Sequence, residues 1–229
     1  MKTVGIIGGF GPSTTSEFFL SLISAWNKRV KTHRPEMLIW NAPVNNIAEQ
    51  KFITEGKCSK HFLSLLKSGV KILENSGVDF LVLPCNSLHM FIEDIKKITR
   101  LSVLNILEET TKELTKKEIS KVVLLGNETT VKSELFNNEF KKSGIQMFLP
   151  ARSDQNKLNL IIHKLVLMKN TKSDSENFNK IVIKFKKSGF TNFLLACTDL
   201  QLLKSNVDGV IFIDTLEILR NATIEKMGL

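Results

Sequence analysis

The chain of 229 residues carries 32 Lys and Arg against 23 Asp and Glu, a formal charge of +9, with 42 % hydrophobic and 24 % charged residues, the composition of an ordinary globular protein of one large domain or two compact halves. No apolar run approaches the ~20 residues that span a bilayer, and three scattered cysteines (58, 85 and 197) with no Cys-x-x-Cys or close His pair describe neither a disulfide scaffold nor a zinc site. Five Arg, no Tyr, and lysines at helical spacing (Lys112, Lys116, Lys117; Lys180, Lys184, Lys187) fit solvated helix faces rather than a nucleic-acid reader.

In chain order, Val4–Ile7 is predicted as a strand, followed by a glycine turn and a helix over about 13–30. The apolar stretch at the start is short and broken by glycines and Pro12, so no signal peptide is expected and a cytoplasmic location is. Residues 37–41 read as a second strand, and the spacing over 59–76 predicts an amphipathic helix. Residues 79–84 form a strand running into Cys85, a helix follows over about 88–99, and 103–106 is a further strand. The pattern then repeats, with a strand at 121–126, a helix around 131–143 and a strand at 145–147. Helices over about 154–168 and 175–188 come next, and a strand at 192–196 delivers Cys197. Such alternation implies a parallel α/β sheet.

The two parts echo each other. Gly8 to Cys85 is 77 positions and Gly126 to Cys197 is 71, and Phe-Leu-Val-Leu-Pro-Cys-Asn-Ser is matched by Phe-Leu-Leu-Ala-Cys-Thr-Asp. The expectation is two related α/β halves facing each other across a cleft: residues 1–104 with Cys85, residues 105–209 with Cys197, and the segment 210–229 packing back on the first half.

Groups just past the carboxyl ends of strands in open α/β sheets face the ligand crevice, and Cys85 and Cys197 both sit there. Each is followed by small polar residues suited to a helix N-cap, Asn86 and Ser87 or Thr198 and Asp199, and a helix N-terminus lowers a thiol pKa, so a thiolate is expected at either site. Opposed thiols suit racemisation, in which one takes a proton from a carbon while the other returns one to the opposite face. Asn86, Ser87, Thr130 and Thr198 are candidate donors to the substrate carboxylate as charge builds on it. Cys58 has no counterpart in the other half and reads as a buried small hydrophobe. His89, one helical turn after Cys85, reads either as a tuner of the thiolate or as a packing residue.

These residues resemble the aspartate/glutamate racemase family, the pyridoxal-independent enzymes with two catalytic cysteines. The resemblance rests on Gly8-Gly9-Phe10-Gly11-Pro12 with Thr15, on Pro84-Cys85-Asn86-Ser87-Leu88-His89, on Ala196-Cys197-Thr198-Asp199-Leu200, on Leu124-Leu125-Gly126-Asn127-Glu128-Thr129-Thr130, and on Ile213-Asp214-Thr215. It implies two flavodoxin-like parallel-sheet halves related by a pseudo-two-fold axis, with the site in the cleft between them. It also implies racemisation of aspartate or glutamate with Cys85 and Cys197 catalytic, no cofactor or metal, and a homodimer. Gly9, Phe10, Gln50 and Lys164 join the substrate-binding set on the same ground. The chain departs from the pattern where aspartate-specific members carry an Arg after the second strand. Residues 45–51 offer only Gln50 and Lys51, and a family Lys falls on Leu167, three residues from Lys164.

Three other readings stay open. A dinucleotide-binding oxidoreductase fits the glycine turn, although Thr14 stands where a third Gly belongs. The same fold also suits a dicarboxylate isomerase or decarboxylase, or a non-catalytic carboxylate-binding protein.

Overall fold

The computed structural model describes residues 1–57, 60–203 and 207–228, so Cys58 lies outside the described residues. The chain runs β1 (Val4–Gly8), α1 (Pro12–Arg29), β2 (Met37–Asn41), α2 (Asn46–Glu55), α3 (Lys60–Asn75) and β3 (Phe80–Val82). A 3₁₀ turn over Ser87–Phe91 leads into α4 (Ile92–Lys96), then β4 (Ser102–Leu104) and α5 (Ile106–Lys116). The second series is β5 (Lys121–Leu125), α6 (Glu128–Lys132), α7 (Asn137–Lys142), β6 (Gln146–Phe148), α8 (Arg152–Val166), α9 (Lys172–Lys187) and β7 (Asn192–Leu195). A 3₁₀ turn over Thr198–Leu203, β8 (Ile211–Asp214) and α10 (Thr215–Met227) complete it.

The strands form two four-stranded sheets, ordered β2-β1-β3-β4 and β6-β5-β7-β8, with every pairing parallel. Counted within its own half, each sheet has the order 2-1-3-4. The architecture is therefore two similar α/β halves, as the repeated pattern predicts. Central strands of parallel sheets are covered on both faces and read as continuous apolar runs. β1 and β3 are buried at every position, and β5 at all but Lys121. The edge strand β2 is only half covered.

Alternate strand residues feed two apolar clusters, and each cluster draws on both sheets. Ile7, Leu81 and Leu83 share one with Val123, Leu125, Phe193 and Leu195. Val4, Ile6, Phe80 and Val82 share the other with Val122, Leu124 and Leu194. At roughly 1.5–3 kcal/mol for each fully buried large apolar side chain, the halves are held as one body. The segment 210–229 divides its contacts: β8 is the outer strand of the second sheet, while α10 packs on α5 and on α1. The Lys2 amide also donates to the Met227 carbonyl at 3.1 Å.

Local chemistry corrects several predicted boundaries. The strand expected over 103–106 stops at Leu104 because Asn105 caps α5, its side chain accepting from the Leu107 amide at 3.0 Å. The helix expected over 131–143 is broken into α6 and α7 around Glu134, whose φ is 51°. The stretch expected as helix from Leu88 opens as a 3₁₀ turn and ends at Lys96. The helix α2 was not foreseen at all; Asn45 caps it through the amides of Ile47 and Ala48.

Gly69, buried in the middle of α3, lets the Trp40 ring of β2 lie against the helix backbone; a Cβ there would overlap the ring. Replacing a helical Gly by Ala ordinarily gains about 1 kcal/mol. Here the sign should reverse, with Gly69→Ala destabilising the protein by about 1–3 kcal/mol, read as a lower urea midpoint. A gain in stability would contradict the seating of Trp40 on α3.

Candidate active site

An open α/β sheet forms its crevice where successive crossovers leave a strand on opposite sides. In the order 2-1-3-4 that point lies between the first and third strands of each half. The loops after β1 and β3 therefore meet in one half, and those after β5 and β7 in the other. These four loops carry Phe10, Cys85, Asn127 and Cys197, and all four residues line one cavity of about 420 Å³, its open mouth included.

The remaining walls are largely apolar. Phe52 and Ile53 come from α2, Phe62 from α3, and Ile162 and Val166 from α8. Asn86, Ser87, Leu88, Thr198 and Asp199 complete the floor from the two cysteine turns, and Glu49 reaches the cavity from α2. No Lys, Arg or His is among the described residues lining it.

The floor is cross-braced between the halves. The residue two past each cysteine reaches the opposite side. Ser87 accepts from the Asn127 side-chain amide at 2.8 Å and lies 2.9 Å from the Thr130 hydroxyl, while Asp199 accepts from the Thr14 hydroxyl at 2.6 Å. The residue one past each cysteine crosses as well. Asn86 donates to the Thr215 hydroxyl at 2.8 Å, and the Thr198 hydroxyl donates to the Pro84 carbonyl at 3.2 Å. Gly11, at φ +92°, permits the Asp199 contact, since a Cβ there would stand 2.8 Å from its Oδ1.

His89 is buried and neutral. The Ile106 amide donates to its Nε2 at 3.2 Å, which leaves the proton on Nδ1 to donate to the Cys85 carbonyl at 2.8 Å. Burial holds its pKa down at about 4. Of the two roles considered for it, packing and anchoring of the Cys85 backbone is the one seen.

The electrostatics reverse the expectation of a ready thiolate. Burial, followed by the charges of Asp199 and Glu49, pushes the Cys85 thiol up to about 12 against the pull of the Leu88 and Ser87 amides. Burial and then Asp199 hold Cys197 well above the ordinary thiol range. The physical reason is twofold. The turns after the cysteines are 3₁₀ segments of five and six residues rather than full helices, and Asn86 makes no cap hydrogen bond. The thiols also share a water-poor space with carboxyl groups. Asp199 itself is raised to about 6 by burial, against the hydrogen bonds from Thr14 and Cys197, whose Sγ lies 3.8 Å from Oδ2. Glu49 is raised to about 7 by burial and then by Asp199.

Of the residues singled out from sequence, Phe10, Cys85, Asn86, Ser87, Cys197 and Thr198 come together around the cavity. Thr130 stands one layer behind Ser87. Gly9 packs on the Ala42 backbone and supplies the turn, at φ +88°, rather than a cavity wall. Gln50 is exposed, and the adjacent Glu49 takes the inward position; one residue along a helix rotates the side chain by about 100°. Lys164 does not reach the site either, because its ammonium pairs with Asp174 at 2.7 Å and so ties α8 to the capped start of α9. Sequence reasoning missed Glu49 and the apolar wall of α2 and α8. It also left Asn127 without a role and read Asp199 only as a capping residue, although both stand in the motifs.

Residues 7–223 match the family model described as Asp/Glu/Hydantoin racemase. A broad specificity amino-acid racemase of Bacillus subtilis (strain 168) is 33 % identical over 145 residues, which are 62 % of this chain. The match spans only 61 % of that relative's length. Among solved structures, the Picrophilus torridus aspartate racemase is 26 % identical with a TM-score of 0.84, over 100 % of this chain and 95 % of its own. An aspartate racemase homologue from Pyrococcus horikoshii OT3 is 25 % identical with a TM-score of 0.79, over 100 % of both chains. The chain belongs to the Asp/Glu/Hydantoin racemase family.

Proposed function

We propose that this protein interconverts the enantiomers of an α-amino acid by two-base proton exchange between Cα, Cys85 and Cys197. The observation that carries the reading is that two cysteines, each following the third strand of its half, line a single cavity. Family membership and the broad-specificity relative support it.

The reaction needs one sulfur as thiolate when substrate is bound. With Cys85 at about 12, ionising it near pH 7 in the empty site costs about 7 kcal/mol at 1.36 kcal/mol per pH unit. The substrate's own α-ammonium offsets much of this, since a cation ~4 Å from sulfur contributes about 4 kcal/mol at an effective dielectric of ~20. For Cys197 a proton acceptor is already in place in Asp199. The proton moves from Cys197 Sγ to Asp199, the thiolate takes the Cα proton, and Cys85 gives its own proton to the opposite face. Cys197 ends as a thiol, Cys85 as a thiolate and Asp199 as a carboxylic acid; the other enantiomer runs the sequence backwards. The Ser87 and Leu88 amides, which face Cys85 at the cavity floor, are the donors for the carboxylate as negative charge spreads onto it. The substrates named by the family, aspartate and glutamate, would find no cation among the described lining residues to receive a second carboxylate.

Incubated in deuterium oxide with one enantiomer of its substrate, the protein should form the other and acquire deuterium at Cα. Cys85→Ser and Cys197→Ser should each slow interconversion by about 10²-fold or more while leaving the circular dichroism spectrum intact. Full activity in both variants would rule out the two-base scheme.

The raised thiols predict a second outcome. Without substrate, alkylation of Cys85 by iodoacetamide, followed by peptide mapping, should accelerate about tenfold per pH unit through pH 9, because the thiolate fraction is still climbing. A plateau reached near pH 7 would show an already ionised Cys85 and contradict the electrostatics above.

A further inference from the structure

The two carboxyl groups of the cavity are not equivalent. Asp199 is engaged, accepting from Thr14 through one oxygen and facing Cys197 with the other. Glu49 is 8 % exposed, lines the cavity, and has no hydrogen-bond or ion-pair partner among the described residues. A carboxyl buried in this way is costly unless something arrives to pair with it. It lies on α2 one helical turn before Phe52 and Ile53, where the wall is apolar, and within Coulombic reach of Asp199 and Cys85. On the floor itself, Asn86 Oδ1 is a second buried acceptor with no partner. Most polar hydrogens around the cavity already have acceptors, as with the Thr198 hydroxyl on Pro84 and the Asn127 amide on Ser87. The cavity thus has acceptors to spare and no cation among its described lining residues.

Every amino acid brings one α-ammonium, and Asn86 Oδ1, the unpartnered acceptor beside Cys85, stands on the floor to receive it while Asp199 holds the Cys197 proton. Glu49 is left over, at the end of an apolar surface built from Phe10, Phe52, Ile53 and Phe62. We infer that the substrate is a basic amino acid, whose methylene stem lies on these aromatic and aliphatic side chains and whose terminal cation pairs with Glu49. This rests on the racemase reading and names the substrate class for it. Long cationic side chains have the required shape, apolar along the stem and charged at the tip, and their tips gain further from aromatic faces. An acidic side chain would bring a fourth carboxyl group into a space that already holds Asp199, Glu49 and the substrate's own α-carboxylate, and that offers it no counter-ion among the described lining residues.

The test measures kcat/KM by Cα deuterium uptake for the full chain with L-lysine, L-ornithine and L-arginine, with L-methionine as an uncharged isostere, and with L-aspartate and L-glutamate. A basic amino acid should exceed both acidic ones at least tenfold, and Glu49→Gln should lower the lysine-to-methionine ratio at least tenfold. Glu49→Gln should fold, since it removes a buried carboxyl that is raised to about 7. Its melting temperature at pH 8 should be no lower than wild type, and Glu49→Ala serves as the second variant if it is. Preference for aspartate or glutamate would overturn the inference while leaving racemisation intact. So would an unchanged lysine-to-methionine ratio in both variants, which would put Glu49 on the α-ammonium or nowhere on the substrate. Deuterium uptake with none of the six amino acids would instead sink the racemase reading, and this inference with it.

Discussion

Parallel strands all point the same way, and that single constraint organises the molecule. In each half the carboxyl ends of β1 and β3, or of β5 and β7, emerge side by side at the place where the chain's crossovers diverge. Whatever the loops there carry is brought together without any long-range search. Repeating the order 2-1-3-4 presents the two crevices to each other, and the shared apolar clusters, each drawing on both sheets, hold them in that relation. The cysteines have no conformational freedom to find one another; the strands deliver them.

Strand delivery places a sulfur only to within the slack of a turn, and the hydrogen bonds of the floor remove the slack. Ser87 to Asn127 and Thr130, Asp199 to Thr14, Asn86 to Thr215 and Thr198 to Pro84 all cross between the halves. Each involves a residue one or two past a cysteine, so each acts on the sulfur-bearing turn itself. Proton transfer to opposite faces of one carbon tolerates little error in the position of either group. The His89 contact with the Cys85 carbonyl adds a further anchor from beneath. Buried polar networks of this kind are rigid only when they are satisfied, and Asn86 Oδ1 is the acceptor on the floor left without a partner among the described residues.

Much of this was legible in the chain, and what was missed follows a rule. β1, β3, β5 and β7 were readable because a strand covered on both faces is apolar throughout, and the cysteine turns because the same letters occur twice. α2 was not, because Ala48, Phe52 and Ile53 are spread among polar residues and its clearest start signal, Asn45, lies in a run of turn formers. Gln50 rested on the family resemblance alone, and without α2 there was no inward helix face to point to Glu49. Lys164 failed for a different reason. Sequence proximity to a family position says nothing of Asp174, ten residues on, which captures its ammonium. The thiolate expectation failed because it weighed the favourable turn amides without the carboxyl groups that the fold sets beside them.

The raised thiols and raised carboxyls have one origin. Water excluded from the cavity makes every charge in it expensive, so the empty site favours neutral forms: Cys85 as the thiol, Glu49 close to half protonated near pH 7. On the two-base proposal a bound amino acid would bring an α-ammonium into the same dry space and offset much of that cost, because a cation lowers the cost of each anion it approaches. Ionisation of the proposed base would thereby be tied to occupancy, the thiolate forming mainly when there is a Cα proton for it to take. A free thiolate is the form that alkylates and oxidises. On the two-base proposal, holding both sulfurs as thiols until substrate arrives would protect them through the same burial that raises their basicity toward a weakly acidic carbon.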